Sequence, residues 1–377
     1  RQIEDRMLQV CYEDRLVGTM VLTADRKAAF EYSDEWLEDG FSISPFSLPL
    51  EKKVYVPQKV IFAGLFGVFA DSLPDAWGRL LLERMLKEKG QNPDDYTILD
   101  RMAIVGNSGM GALTYAPQID LEVKSFNEDL DELAYQCNKI LNTEYSEKMD
   151  ELYSLGGTSG GARPKILTEI DGEDWIIKFP TYVDERDAGM IEYQYLICAG
   201  KCGINMPQTR LFHSDKCQGY FGVKRFDRKK ENNETKKIHM LTAAALLEIY
   251  FNQPCMDYND LMKLTKILTN NNWDDIDNMY RRMCFNVYAH NRDDHAKNFT
   301  YIYDEENETW RLSPAYDLTY SNTYYGEHTT TVAGNGRNPG IKELTEVGVN
   351  AGLKKQYCEE VAGEIRGLVE EMLNNYI

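Results

Sequence analysis

The chain has 377 residues, with 42 Lys and Arg against 61 Asp and Glu, and a formal net charge of −19. At ~150 residues per domain this length predicts two or three domains, and 24 Tyr and 14 Phe spread along it argue against disorder. The acidic excess argues against nonspecific nucleic-acid binding, which needs clustered Lys and Arg on phosphates, although a local basic patch stays open.

No apolar run approaches the ~20 residues of a membrane helix, so no membrane association is expected. Arg1–Asp5 shows no apolar signal-peptide core. The eight Cys are scattered singly. Cys198 and Cys202 are one helical turn apart, but no second pair completes a zinc site. Buried free thiols in a reducing cytoplasm are the expectation.

Residues 8–32 alternate apolar and polar around Gly18 and Asp25-Arg26, which predicts short antiparallel strands. Phe46–Leu50 continues this region. Asp71 or Ser72 is expected to cap a helix whose first turn holds Pro74. Trp77, Leu81 and Met85 form its apolar stripe and Gly90 ends it. Pro117 marks a first boundary. Residues 126–142 read as an amphipathic helix. A Gly-rich stretch at 156–161 precedes strands at Lys165–Ile170 and Trp175–Phe179. A helix containing Glu192 runs to about Gly203, and strands follow at Thr209–Phe212 and Tyr220–Val223. Beyond Lys229-Lys230 the pattern reads as helical. Ile276, Met279, Tyr280, Met283, Cys284 and Val287 recur at helical spacing, as do Leu353, Tyr357, Val361, Ile365, Leu368 and Met372.

The segment richest in chemistry is His290-Asn291-Arg292-Asp293-Asp294-His295-Ala296-Lys297-Asn298. It contains Arg-Asp-x-x-x-x-Asn, the spacing of a protein-kinase catalytic loop. In that reading Asp293 accepts a proton from a substrate hydroxyl, Asn298 offers its amide oxygen to Mg2+, and Lys297 offsets phosphoryl charge. Asp317, in Ala315-Tyr316-Asp317, stands where a second metal-binding carboxylate belongs, though the motif is not Asp-Phe-Gly. The bland alternative is a polar turn with a helix-capping Asp. A rival takes His290, Asp293, Asp294 and His295 as metal ligands of a phosphohydrolase.

Gly156-Gly157-Thr158-Ser159-Gly160-Gly161-Ala162-Arg163-Pro164-Lys165 leads into a strand, so it is not a Walker loop. Glycines there allow backbone amides to approach phosphate oxygens, and a flexible linker is the plain alternative. The following apolar strand carries one lysine, Lys178, in the kinase arrangement of phosphate-binding Lys. Glu192 is either its partner or a solvated helix residue. Tyr220–Arg228 fits a strand leaving the core into a linker, with backbone groups to read adenine and Phe226 to contact its ring. A basic surface hairpin is the other reading, strongest for Arg228 and Lys229.

Together these segments resemble the HipA family of serine/threonine kinase toxins from bacterial toxin–antitoxin modules. Gly160, Gly161, Ala162, Arg163 and Lys165 look like the family's Gly-Ala-x-x-Lys segment, Lys178 falls on its ATP-phosphate lysine, and Lys224-Arg225-Phe226-Asp227-Arg228 resembles its hinge. Asp293–Asn298 looks like Asp-x-His-x-Lys-Asn, and Tyr316-Asp317 like its Tyr-Asp metal motif. Ser47–Leu50, Asp71–Asp75 and Gly106–Leu113 are similar to its N-terminal subdomain. Lys224, in place of an acidic residue of some members, and Asp294, in place of a small one, depart from the pattern.

The resemblance implies an α+β fold: two protein-kinase-like lobes, the C-lobe helical, plus a strand-containing N-terminal subdomain. The expected division is 1–118 for that subdomain, 119–228 for the kinase N-lobe and 229–377 for the helical C-lobe. It implies ATP and Mg2+ as cofactors, with His295 and Tyr316 also at the nucleotide. A cytoplasmic kinase would phosphorylate Ser or Thr of a protein, with aminoacyl-tRNA synthetases among family targets, and arrest growth, the behaviour of persistence. A helix-turn-helix antitoxin is the expected partner, with DNA reached only through it. Autophosphorylation in the Gly-rich loop is expected at Ser159 before Thr158. The alternatives are a catalytically silent module in an antitoxin–DNA complex and a small-molecule phosphotransferase.

Overall fold

Alternation in residues 7–32 becomes a sheet because one face of each strand has an apolar layer to cover. A computed structural model of the chain describes residues 7–121, 129–181, 184, 187–323 and 325–377. Strands β1 (Met7–Tyr12), β2 (Arg15–Leu22) and β3 (Ala28–Tyr32) precede helices α1 (Asp34–Asp39), α2 (Gly67–Ala70), α3 (Ala76–Glu88) and α4 (Ile98–Val105). Strand β4 (Leu113–Ala116), helices α5 (Leu130–Leu141) and α6 (Met149–Gly156), and strands β5 (Lys165–Ile170) and β6 (Glu173–Lys178) follow. Helix α7 (Ala188–Lys201) and strand β7 (Thr209–Phe212) lead to β8 (Tyr220–Lys224), β9 (Arg228–Glu231), β10 (Glu234–Lys237), β11 (Met240–Thr242) and α8 (Ala243–Leu247). The chain continues through α9 (Tyr258–Leu268), α10 (Trp273–Tyr288), β12 (Thr300–Asp304), β13 (Thr309–Leu312), α11 (Ile341–Asn350) and α12 (Lys355–Leu373).

The chain divides into two compact units, one from residues 1–186 and 213–250, the other from 187–212 and 251–377. In the first, an antiparallel sheet runs in the order β3-β2-β1-β4. Leu8, Val10 and Tyr12 of β1 turn inward and their neighbours outward, the period of a half-buried strand. A second antiparallel sheet contains β5, β6 and β8 in that order.

Helix α3 starts later than the sequence suggests. Its N-cap is Asp75, because the two expected caps are engaged elsewhere. The Asp71 carboxylate accepts from the amide and hydroxyl of Thr242 at 2.8 and 2.9 Å, and Ser72 Oγ lies 2.7 Å from the Tyr115 hydroxyl. The stripe of Trp77, Leu81 and Met85 is buried as expected. Of the helix read over 126–142, the described part is α5; residues 122–128 lie outside the described residues.

Residues 229–250, expected to open the helical lobe, pack within the first unit as a β9–β10 hairpin, β11 and α8. Their anchors are close. Gly67 lies against the Ala245 backbone so tightly that a Cβ would come within 2.5 Å of it, and buried His239 donates from Nε2 to Ile43 O at 2.8 Å. Burial pushes the His239 imidazole down to about 4, a shift the Ile43 bond only partly opposes. His239 is therefore expected to stay neutral in the fold well below pH 6. Its imidazole NMR shift should not move until about pH 5, while stability falls as pH drops below 6.5, where the unfolded chain takes up the proton first.

In the second unit α10 is the spine. Asn272 caps it, its side chain accepting from Asp275 N, and Asp274 and Asp275 complement the dipole. Ile276, Met279, Tyr280, Met283, Cys284 and Phe285 are fully buried, and α12 packs along it. The unit also holds the β12–β13 hairpin, so the C-terminal part is helical with a strand insertion. Buried Arg282 of α10 donates to Ser313 O, tying the helix to the segment leading to Asp317. No helix among the described residues is long and apolar enough to cross a membrane.

Candidate active site

The first unit carries the Gly-rich loop. Helix α6 ends at Gly156, the chain turns through Gly157–Pro164, and β5 begins at Lys165. Gly161 takes a φ of +81°, a left-handed conformation that favours glycine, and a Cβ there would meet Lys165 Nζ at 2.4 Å. Lys165 Nζ donates to Gly160 O at 2.5 Å. In the β5–β6 register Lys165 is the cross-strand partner of Lys178, so both lysines project from the same face at the mouth of the loop. Lys178 Nζ lies 5.6 Å from the Phe221 ring centroid, a cation–π contact on β8. Lys165 is itself buried and its ammonium is held by the Gly160 carbonyl.

Ser159 is 0% exposed and its hydroxyl donates to Gly156 O at 2.7 Å. The partly exposed Thr158 donates its hydroxyl to Ser108 O at 2.9 Å. Ala162 and Arg163 are exposed, and Arg163 pairs with Asp184 at 3.2 Å.

The basic surface hairpin holds for exposed Lys229, in the β9–β10 hairpin, but not for Arg225 and Arg228. The Arg225 guanidinium bridges both Asp227 oxygens at 2.9 and 2.8 Å, and Arg228 Nη1 reaches the same carboxylate at 2.8 Å. Asp227 also accepts from Gly111 N at 2.8 Å, while Arg228 donates to the carbonyls of Gly109 and Gly111. The hinge thus grips the Gly106–Leu113 segment of the N-terminal subdomain. Lys224 pairs with Glu173 at 2.7 Å, and Phe226 is half-buried.

The second unit carries the catalytic-loop segment. Helix α10 ends at Tyr288, and His290 at φ +53° swings the chain out of the helix. Asp293 and Asp294 then part ways. Asp293 is exposed, its side chain 58% accessible and 3.8 Å from His295 Nε2. Asp294 is buried: it accepts from the Tyr258 hydroxyl at 2.7 Å and from the amides of Thr329 and Thr330 at 2.9 and 3.2 Å, and lies 2.9 Å from His328 Nδ1. The residue that departs from the family pattern is thus an anchor for the loop.

His295 caps a one-turn helix, its Nδ1 accepting from Lys297 N at 3.2 Å, and its ring lies 5.1 Å from Phe251. Lys297 Nζ sits 5.2 Å over the same Phe251 ring. Asn298 Nδ2 donates to the Asp293 carbonyl at 2.6 Å, leaving its Oδ1 as the atom for a cation. The Tyr316 hydroxyl donates to Lys297 O at 2.6 Å, which ties the residue before Asp317 to the loop. Asp317 itself has φ +53°, in the left-handed region that Asp enters more readily than most residues. Asn298 and Asp317 are the oxygen donors a hard cation prefers.

Glu192, on α7, is only 4% exposed, which removes the solvated reading; it belongs to the second unit and Lys178 to the first. The rival metal cluster does not assemble. Asp294 is spent on its anchors, His290 stacks on Tyr320, and among the described residues no three His, Cys, Asp or Glu side chains group as a metal set.

The Y4mE protein of Sinorhizobium fredii (strain NBRC 101917 / NGR234), named “Putative kinase Y4mE”, is 24% identical over 345 residues, covering 85% of this chain and 78% of Y4mE. “Putative kinase Y4dM” of the same strain is 26% identical over 182 residues, 44% of this chain and 42% of Y4dM. Among solved structures, HipA in the Shewanella oneidensis MR-1 complex of HipA, HipB and operator DNA superposes with a TM-score of 0.72 at 18% identity. The match covers 97% of this chain and 91% of that one, and it shows a shared α+β fold. The model of the HipA N-terminal domain matches residues 8–116 and that of the HipA-like C-terminal domain residues 157–373. With more than half of its length under the second of these, and the loop, hinge and catalytic motifs inside them, the chain belongs to the HipA family.

Proposed function

We propose that the chain is an ATP- and Mg2+-dependent serine/threonine protein kinase acting as the toxin of a toxin–antitoxin pair. The observation that carries this reading is the catalytic loop. It leaves the Asp293 carboxylate exposed, pins the Asn298 amide nitrogen to the Asp293 carbonyl, and holds the Tyr316 hydroxyl on the Lys297 carbonyl. Bound ATP with Mg2+ would supply the transferable γ-phosphoryl group and neutralise its charge. Lys178 and amides of the Gly-rich loop would hold phosphate oxygens, and Asn298 and Asp317 would hold the cation. Asp293 would accept the proton of the target hydroxyl as that oxygen bonds to the γ-phosphorus, with ADP as the leaving group. Lys297, kept in place by the Phe251 ring, offsets the charge on the phosphoryl oxygens.

The partner in this reading is a helix-turn-helix antitoxin. The HipA relative is solved with HipB and operator DNA, and a chain of charge −19 suits DNA contact through such a partner. Within the Gly-rich loop, burial ranks Thr158 ahead of Ser159 as a phosphoacceptor in the loop conformation seen. The Ser159 hydroxyl would first have to leave Gly156 O.

Incubation with labelled ATP, Mg2+ and a cell extract, followed by mapping of every phosphosite, is expected to yield phosphoserine or phosphothreonine in a protein target. A labelled small molecule instead would make the chain a small-molecule phosphotransferase. Absence of Mg2+-dependent ATP binding by calorimetry would leave only a silent binding module.

A further inference from the structure

The Gly-rich loop is held from outside its own sheet. An N-cap Asp ordinarily accepts from the second or third amide of its helix. Asp75, the N-cap of α3, makes no such bond. Its Oδ2 instead accepts from Gly161 N at 2.8 Å. Around this bond the same turn makes a ladder with the loop. Asp75 N donates to Ser159 O and Trp77 N to Gly161 O, both at 3.3 Å, and the Trp77 indole donates to Lys165 O at 3.1 Å. A Cβ on Gly78 would meet Gly157 O at 2.8 Å, so the helix start lies directly on the loop backbone.

The turn that makes these contacts is itself fixed. Asp71 is bound by Thr242, and Ser72 by Tyr115 of β4. The loop is thus clamped by a rigid part of the N-terminal subdomain. A carboxylate on an amide is a charge-assisted bond, stronger than the neutral bonds beside it. It also occupies the kind of donor that a phosphate oxygen uses.

We propose that Asp75 is a positioning residue, a latch that keeps the Gly-rich loop closed by holding the Gly161 amide, so that loop opening and exposure of the Ser159 hydroxyl require its release. What the loop does once open rests on the kinase reading; the latch itself does not. It gives the N-terminal subdomain a direct hold on the loop.

The test is hydrogen exchange on the full chain without nucleotide. Asp75→Ala is expected to speed amide exchange across 157–163 by about 10- to 100-fold, the loss of one hydrogen bond to a charged group. Asp75→Asn keeps a neutral acceptor oxygen and should restore part of that protection, leaving exchange about 3- to 10-fold faster than wild type. The amides of β1 and β2 report the global fold and are expected to be unchanged in both variants. Wild-type exchange across 157–163 in Asp75→Ala overturns the latch. So does a parallel rise in β1 and β2, which would make Asp75 a general structural residue. Adding Mg2+ and ATP separates the two ideas: a wild-type loop that gains no protection counts against the kinase reading and leaves the latch standing.

Discussion

Asp293→Ala is expected to lower phosphoryl transfer by about 10²–10⁴-fold, the range for loss of a positioned general base, while ATP affinity stays within about threefold. The geometry explains why the two effects separate. The Asp293 side chain is exposed, so its removal disturbs little packing. The bond that orients Asn298 goes to the Asp293 main-chain carbonyl, which alanine retains. The amide proposed to bind the cation therefore keeps its place while the proposed proton acceptor is lost. The neighbouring substitution serves as the contrast: Asp294→Ala strips four partners of a buried carboxylate and is expected to fail by unfolding, not by losing one step. Turnover of labelled ATP and calorimetry on the same preparation check the first result. Wild-type turnover by Asp293→Ala would remove Asp293 as the base.

Much of the fold was legible wherever one periodicity ran long enough. The spacing over 276–287 is α10 and that over 353–372 is α12, because an amphipathic stripe of three or more turns has one way to bury itself. Residues 8–32 form β1 to β3, with a clean period of two in β1 and with β3 buried at four of its five positions. Residues 229–250 resisted this reading. Strand β10 is Glu-Thr-Lys-Lys with no apolar face, and Ala243–Leu247 is buried on nearly every side, so neither period shows. The start of α3 was misplaced because Asp71 and Ser72, both good caps, are claimed by residues far along the chain.

The site was legible as an order of motifs and illegible in its environments. Asp293 and Asp294 are identical in type and adjacent in sequence, yet one is exposed and the other buried. Tyr258 and His328–Thr330, each more than thirty residues away, decide which. The pull of Asp75 on Gly161 has no local signal either, since 86 residues separate the partners. Arg228 looks like a surface charge because its acceptors, Gly109 and Gly111, stand in another subdomain's loop.

That last cluster makes a quantitative stability prediction. Asp227→Ala is expected to cost about 3–5 kcal/mol, the range for breaking a buried ion pair from one side. It would leave the Arg225 and Arg228 guanidinium groups, both about 7% exposed, facing each other without their shared carboxylate. Burial alone would raise the Asp227 carboxyl. The Arg225 charge and hydrogen bonds, the Arg228 charge and the Gly111 amide outweigh it and hold the group far below the usual carboxylate range. A depressed folded pKa gives stability that is fully present above the unfolded value of about 4 and is lost as pH falls toward the folded value. Asp227→Asn keeps the shape and removes the charge, so it should be less stable than wild type at pH 7, with the gap narrowing below about pH 4. Urea unfolding of both proteins at pH 7 and pH 3 measures that gap. An equal gap at the two values would mean that the carboxylate charge is not what holds the two arginines, and with them the hinge, against the N-terminal subdomain.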